Sequence, residues 1–403
     1  MSHFQNRLNL LKRPPFFAYA IGFFFAAIGN GLGYIAMSWI VVTRHSDVTA
    51  MAILLACFWG PNIIFGPFMG VLADRLSRKL IIIISNFVRG CIFIFFSVYL
   101  KEHFSINMVY LMMLCVGTAF SAFFSTAMAF MRELVPQEDL VHANSTIDVL
   151  YEMGNLIGMG GAGLLIAWTS SETAIFINGI AFLIATITML IIPKSALQHS
   201  GERVKQKIKL YKDFKEGLLY LLRKKKLLSI YTIQLLIFIT YLTTPLLLVP
   251  FSKTILHASV KQFGVIEACA SIGIVFGGIL MPWIAEKLGL MRTLLFFTSV
   301  LCITFLFFGY NRSIDLAAVM YFIIGLAGAV WPLIISKAQS LTANHFQGRV
   351  QSTFNSLSGA MMMLFYFSIA TIGKHFGVNQ LYVLEVGITF LAIVFLILAR
   401  KEF

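Results

Sequence analysis

Long apolar runs, each broken by a short polar stretch, fill nearly the whole chain. Reading for stretches of about 18 or more residues with few charges places twelve spans, at roughly 14–43, 48–73, 79–100, 105–132, 142–168, 172–192, 227–251, 259–284, 290–309, 315–340, 347–374 and 379–400. The connections are short except for 193–226. The pattern predicts an all-α membrane protein with an N-terminal six-helix bundle (1–192), a linker (193–226) and a C-terminal six-helix bundle (227–403).

Composition agrees with that pattern. The 403 residues are 59% hydrophobic and 12% charged, more apolar than the 45–50% of a typical soluble domain. The first apolar run begins near Pro14 and is too long for a signal core, so no cleavable signal is expected. The net charge of +14 would by itself suit nucleic acid. Its placement points elsewhere. With the N-terminus inside, cytoplasmic segments carry 24 of the 31 basic residues, outer loops carry six (Arg44, Lys101, Lys253, Lys261, Arg312 and Lys374), and Arg89 lies within a span. Without the eleven in the linker, the cytoplasmic side still leads by 13 to six. Basic residues favour the cytoplasmic side, so both termini and the linker are expected there, in a bacterial inner membrane and with no nucleic-acid partner. The five cysteines (Cys57, Cys91, Cys115, Cys269 and Cys302) fall inside spans at spacings that suit neither zinc nor disulfides.

The linker has a pattern of its own. Val204, Ile208, Tyr211, Leu218 and Leu222 recur at helical spacing among Lys205, Lys207, Lys209, Lys212 and Lys215. This predicts a basic amphipathic helix lying on the inner leaflet. The halves on either side of it echo each other faintly. Ala73-Asp74-Arg75-Leu76 corresponds to Ala285-Glu286-Lys287-Leu288 at an offset of 212 residues, which also sets Gly66 on Gly278. Related halves around a linker fit a transporter whose substrate binds near the midplane.

The chain is organised around Gly70-Val71-Leu72-Ala73-Asp74-Arg75-Leu76-Ser77-Arg78-Lys79, a charged turn between two membrane-length runs. A glycine there lets helices approach closely, an acid suits a helix N-terminus, and bases suit the headgroup side. The stretch closely resembles the signature between helices 2 and 3 of the major facilitator superfamily. Arg132-Glu133-Leu134-Val135-Pro136 with Leu140-Val141-His142-Ala143-Asn144, Ser85-Asn86-Phe87-Val88-Arg89-Gly90, and Trp331-Pro332 with Gly348-Arg349-Val350 resemble the branch of macrolide-efflux-type and enterobactin-exporter-like proteins. The resemblance runs over about residues 14–400 and implies twelve helices, alternating access and a small organic substrate. A functional monomer is also expected. One stretch departs from the family. Drug/proton antiporters often carry Gly-Pro before Gly-Gly in helix 5, whereas Gly158-Met159-Gly160-Gly161 stands here, which weakens the expectation of antiport.

The resemblance implies a conformational latch on the cytoplasmic side formed by Gly70, Asp74, Arg75, Arg78 and Glu133. Asp74 would cap helix 11, and Arg78 would pair with Glu133. Ionisable groups within spans are functional candidates by default. Arg89 and Glu152 both sit about ten residues in from the cytoplasmic end of their spans, roughly 15 Å deep at 1.5 Å per residue. Asp148 is one turn before Glu152 on the same face. Arg89 with these acids could form a proton-responsive pair or a permanent structural one, and both readings stand. Glu267 is a further proton-coupling candidate, and Glu385 is expected to snorkel toward the outer surface.

In this family spans 1, 4, 7 and 10 line the cavity. The substrate-cavity candidates are Asn30, Tyr34, Phe120, Phe123, Phe124, Gln234, Tyr241 and Trp331, with Asn355 and Tyr366 from span 11. Rings with a few amides suit amphipathic organic molecules. The chain carries no Gly-rich nucleotide loop, Ser/His/Asp set or Cys/His cluster in its sequence. No cofactor, metal or enzymatic activity is therefore expected. The expected function is proton-coupled export of a drug-like compound or siderophore. Import or facilitated diffusion is the alternative, and a non-transporting membrane receptor is the least favoured.

Overall fold

The computed structural model describes residues 9–45, 48–136, 139–193, 210–343, 346–373 and 375–400. Helices account for nearly all of them, and no strand occurs among the described residues. In chain order the helices are α1 (Pro14–Arg44), α2 (Val48–Arg75), α3 (Arg78–Glu102), α4 (Ile106–Leu134), α5 (Leu140–Trp168), α6 (Ser171–Ile191), α7 (Leu210–Arg223), α8 (Lys225–Thr254), α9 (Val260–Leu288), α10 (Leu290–Phe308), α11 (Ile314–Gly328), α12 (Trp331–Leu341), α13 (Gln347–Ile372) and α14 (Val378–Leu398). Twelve stretches among the described residues are long and apolar enough to cross a membrane. A helix satisfies its own backbone within hydrocarbon, which makes it the natural form for such sequences. Side chains such as Phe95, Ile279, Leu364 and Leu398 point out of the fold, more than 60% exposed, as expected where lipid rather than protein covers them.

Local signals explain the helix ends. Ser77, Ser170 and Ser313 accept hydrogen bonds from the backbone of the first turns of α3, α6 and α11, satisfying donors that a helix leaves open. Ser259 and Gln262 form a reciprocal cap at the start of α9. The tenth span departs from expectation. It is two helices rather than one, interrupted at Ala329–Val330, with Pro332 in the first turn of α12. Proline fits a first helical turn and disrupts a helix interior.

The chain divides into two compact units. One comprises Met1–Val41 and Cys57–Lys207, the other Val42–Ala56 and Ile208–Phe403. The division differs from an even split at the linker: the tip of the first helical hairpin groups with the second unit, where Thr49 Oγ1 donates to Ala370 O at 3.2 Å.

Each unit is held by close helix contacts at glycines. In the first, a Cβ on Gly31 would stand 2.7 Å from Asn155 O, and one on Gly154 would stand 2.8 Å from Phe24 O. Gly158 packs on the backbone of Ile28, Gly31 and Leu32. The α1–α5 crossing therefore leaves no room for side chains at these positions. Gly117 of α4 packs on the backbone of Phe58 in α2, and Gly90 of α3 faces Gly179 of α6. In the second unit, Gly325 of α11 packs on the backbone of Ala270 in α9. Ala270 lies 212 residues after Phe58, so the internal repeat reappears as the same kind of helix contact within each unit.

Helix α7 is docked on protein rather than lying on the inner leaflet alone. Gly217 packs against the Arg349 carbonyl of α13, Glu216 pairs with Arg349 at 2.9 Å, and the Tyr220 ring stacks on Phe346 at 4.2 Å. The Tyr220 hydroxyl accepts from Lys224 Nζ at 2.9 Å and from the Ala343 amide at 3.2 Å. The Lys224 contact pulls the phenol pKa below its ordinary value. Leu219 and Leu222 remain exposed. Val204, Ile208, Lys205, Lys207 and Lys209 lie outside the described residues.

Replacing Gly158 by Leu drives a side chain between α1 and α5 and is expected to cost about 1–3 kcal/mol. The check is the melting temperature of the detergent-purified protein. Gly161→Leu in the same helix, where a Cβ meets nothing within 4 Å, should leave that temperature unchanged. Equal losses in both variants would contradict glycine-mediated packing.

Candidate functional site

The first unit buries a cation. Arg89 of α3 is 0% exposed. Its guanidinium lies over the rings of Phe182 (4.3 Å), Phe123 (4.6 Å) and Phe120 (5.9 Å). Nη2 donates to Asn86 Oδ1, one turn earlier, and Nε donates to the Ser85 carbonyl at 3.4 Å. Nη1 is buried with no hydrogen-bond partner among the described residues. The expected pair with Glu152 or Asp148 is not formed. A residue three positions back on the same helix is always within reach, and the ring faces stabilise the cation, so Arg89 is held without a carboxylate.

Tyr151 of α5 occupies the space between. Its hydroxyl is hydrogen-bonded to the amides of Asn155 and of Asn30 in α1, and it lies within electrostatic reach of both Arg89 and Glu152. Glu152 is half-buried, with Asp148 as its acidic neighbour, and the Asp148 side chain is exposed. The glycine crossing of α1 on α5 brings Asn30 against Tyr151, because Gly31 and Gly154 each adjoin a polar member of the cluster. Tyr151, Asn155 and Asn86 were not among the candidates read from sequence. The signal available was position: Asn86 one turn before Arg89, and Asn155 one turn after Tyr151.

At the cytoplasmic end of the same unit, Arg78 Nη1 meets Glu133 Oε1 at 3.0 Å, both largely buried. Lys79 Nζ donates to the carbonyls of Leu190 and Ile192 at the end of α6, and Arg13 pairs with Asp139 at 2.9 Å. Gly70, Asp74 and Arg75 sit in the last turns of α2. Their surroundings lie outside the described residues.

The second unit also buries polar groups. Glu385 of α14 is 0% exposed, not snorkelling. Its Oε1 stands 2.7 Å from Thr243 Oγ1 of α8. A carboxyl facing inward from α14 finds a hydroxyl there, so reaching for the surface brings it nothing. Glu267 of α9 is 7% exposed.

The cavity candidates separate by environment. Phe120 is buried in the core cluster of the first unit, against Phe58 and Trp59. Phe124 and Tyr241 are exposed, and Asn30 and Tyr34 are intermediate. Gln234 is 1% exposed, and its carbonyl oxygen has no hydrogen-bond partner among the described residues. Trp331 stacks on Phe238 at 4.6 Å. Asn355 is exposed and accepts from Gln351. Tyr366 is buried, and its hydroxyl donates to Leu242 O at 2.9 Å. Buried Phe120 and Tyr366 serve packing in this arrangement, whereas Phe124 and Tyr241 are exposed, each in its own unit.

Comparison with known proteins follows the same line. A sequence model of the Major Facilitator Superfamily matches residues 19–366 and 230–402. The MFS-type transporter YfiS of Bacillus subtilis (strain 168) is 27% identical over 206 residues, a match that spans 51% of this chain and about half (48%) of that relative. BacE of the same strain, named as a candidate bacilysin exporter, is 26% identical and 73% of each chain is covered. Macrolide efflux protein A of Streptococcus pyogenes is 24% identical, with 85% of each chain covered. The crystal structure of nucleoside transporter NupG superposes with a TM-score of 0.75 at 14% identity, covering 96% of this chain and 99% of that one. The fold is therefore shared.

Removing either partner of the Arg78–Glu133 pair leaves the other charge short of its counter-charge. In a cycle of Arg78→Met, Glu133→Leu and the double variant, thermal stability should show a coupling of about 0.5–3 kcal/mol. Strictly additive losses would mean that the contact contributes nothing.

Proposed function

The chain belongs to the major facilitator superfamily, and on that premise we propose that this multi-pass membrane transporter exports small amphipathic organic molecules, driven by protons, through alternating access. The observation that carries the direction is the match along 85% of the chain to a protein named for macrolide efflux. The match to a candidate bacilysin exporter supports it. In the first unit, the exposed ring of Phe124 and the amide of Asn30 suit drug-like molecules held by apolar contact and a few hydrogen bonds. A siderophore with several negative charges fits less well, since Arg89 is the single deep cation in the sequence.

Glu152 is the proton carrier in this reading. It sits at membrane depth beside a second carboxylate, Asp148, an arrangement that favours one proton held between two acids. Arg89 supplies a fixed positive charge across Tyr151. The Arg78–Glu133 pair, with Gly70, Asp74 and Arg75 in the adjoining turn, acts as a cytoplasmic latch whose contacts form and break with the access state. Both termini lie in the cytoplasm of a bacterial inner-membrane protein that works as a monomer.

The test uses everted membrane vesicles energised by respiration and a labelled macrolide as probe. Export predicts uphill uptake into everted vesicles that an uncoupler abolishes. Accumulation in right-side-out vesicles instead would indicate an importer, and movement only down the gradient would indicate a facilitator. Glu152→Gln should lose uphill transport at least tenfold while keeping counterflow exchange and melting temperature, and Glu267→Gln should lose less. Retention of uphill transport by Glu152→Gln, with loss in Glu267→Gln, would reverse the assignment. If Glu152→Gln lowers melting temperature and both fluxes together, Glu152 is a packing residue.

A further inference from the structure

The second unit buries a carboxyl for which the proposed mechanism has no use. Glu385 is the eighth residue of α14, about 10 Å from the end of that helix remote from the C-terminus. It is wholly buried, and Oε2 has no hydrogen-bond partner among the described residues. The groups that face it come from every helix around it. They are Thr243 of α8, Tyr366 of α13, and Tyr382 one turn earlier on α14, which lies within electrostatic reach of Tyr321 of α11. Glu267 of α9 acts on Tyr382. Cys302 of α10 donates to the carbonyl of Val386 at 3.7 Å. None of these is a cation.

The Thr243 hydroxyl has more acceptors within reach than it has hydrogens. Its oxygen lies 2.9 Å from Ile239 O and 3.3 Å from Thr240 O as well as 2.7 Å from Glu385 Oε1. A hydroxyl has one hydrogen and two lone pairs. When that hydrogen goes to a backbone carbonyl, as on most helical threonines, the shortest of the three contacts needs a hydrogen from the other side. Only a protonated Glu385 supplies it. An ionised carboxylate would instead sit in low dielectric with one oxygen bare and no counter-charge, which is costly.

A cleft of about 120 Å³ between α10 and α14 is lined by Tyr310, Asn379, Gln380, Tyr382, Val383 and Val386, among others. It runs from the polar end of α14 along Tyr382 and Val383 to Val386, and the Glu385 side chain is not part of its lining. In the orientation proposed above, that end is the outer one.

We propose that Glu385 is a proton-binding site of the second unit, hydrogen-bonded to Thr243 and adjoining the cleft beside Tyr382, and that its bound proton helps drive transport. The last clause rests on the proton-driven reading above, whereas the existence of the site does not. Burial of a carboxyl as packing alone predicts a proton that never leaves.

Infrared spectroscopy of the purified full chain separates these ideas without any transported molecule. A protonated-carboxyl C=O band should be present at low pH in the wild type and in Glu152→Gln, be absent from Glu385→Gln, and shift in Thr243→Val. It should disappear reversibly between about pH 5 and 9, the range that spans exposed and deeply buried carboxyls. A band that persists throughout, or one that survives in Glu385→Gln, would overturn the site. For the driving role, Glu385→Gln should keep its melting temperature and macrolide counterflow while uphill macrolide transport falls at least fivefold. Unchanged uphill transport would overturn that role. Uphill transport by the wild type that ignores the proton gradient would remove the reading on which the role rests, and the infrared band alone would then decide whether the site exists.

Discussion

Close approach of helices at glycine is the constraint on which the rest of this protein depends. Inside hydrocarbon, apolar side chains gain little by leaving lipid for protein, so helices associate through contact area and a few polar interactions. Gly31, Gly154 and Gly158 in the first unit, and Gly273, Gly277 and Gly325 in the second, bring backbones together where a Cβ would collide. The crossing of α1 on α5 also positions chemistry. It sets Asn30 against Tyr151 and aligns Glu152 and Asn155 along the same stretch of α5. Packing and polar architecture are therefore one feature of the chain.

The two buried polar clusters solve opposite problems. Arg89 is a permanent cation, and it is held by three ring faces and by Asn86 from its own helix. Its stabilisation does not depend on a carboxylate, so a change at Glu152 does not unpair this buried charge. Glu385 is an acid with no cation paired to it among the described residues, and its environment of hydroxyls suits a neutral carboxyl. One unit thus buries a cation among rings, and the other buries a carboxyl among hydroxyls.

Much of this was legible in the sequence because the bilayer imposes its own length scale. The apolar runs specify the spans, which recur as twelve long apolar stretches among the described residues. Arg78 and Glu133 were read as partners from a loop signature, and they stand 3.0 Å apart. What stayed hidden depends on helix rotation, which a run of mostly apolar residues scarcely encodes. Hydrophobic periodicity is faint when lipid and protein interior are equally apolar, so nothing indicated that Glu385 points inward or that Arg89 turns to rings rather than to Glu152. The docking of α7 on α13 was hidden for another reason: Gly217 and Glu216 read as ordinary linker residues until Arg349 is placed beside them. The division of the tenth span, by contrast, could have been seen in Trp331-Pro332.

The central claim is that movement of an organic molecule and movement of protons are one process. Purified protein in proteoliposomes with a pH-sensitive dye trapped inside tests it most directly, without any imposed gradient. A macrolide concentration step should by itself drive protons across the membrane in the direction opposite to the macrolide, and the signal should be lost in Glu152→Gln. Macrolide flux with a constant internal pH would contradict the account.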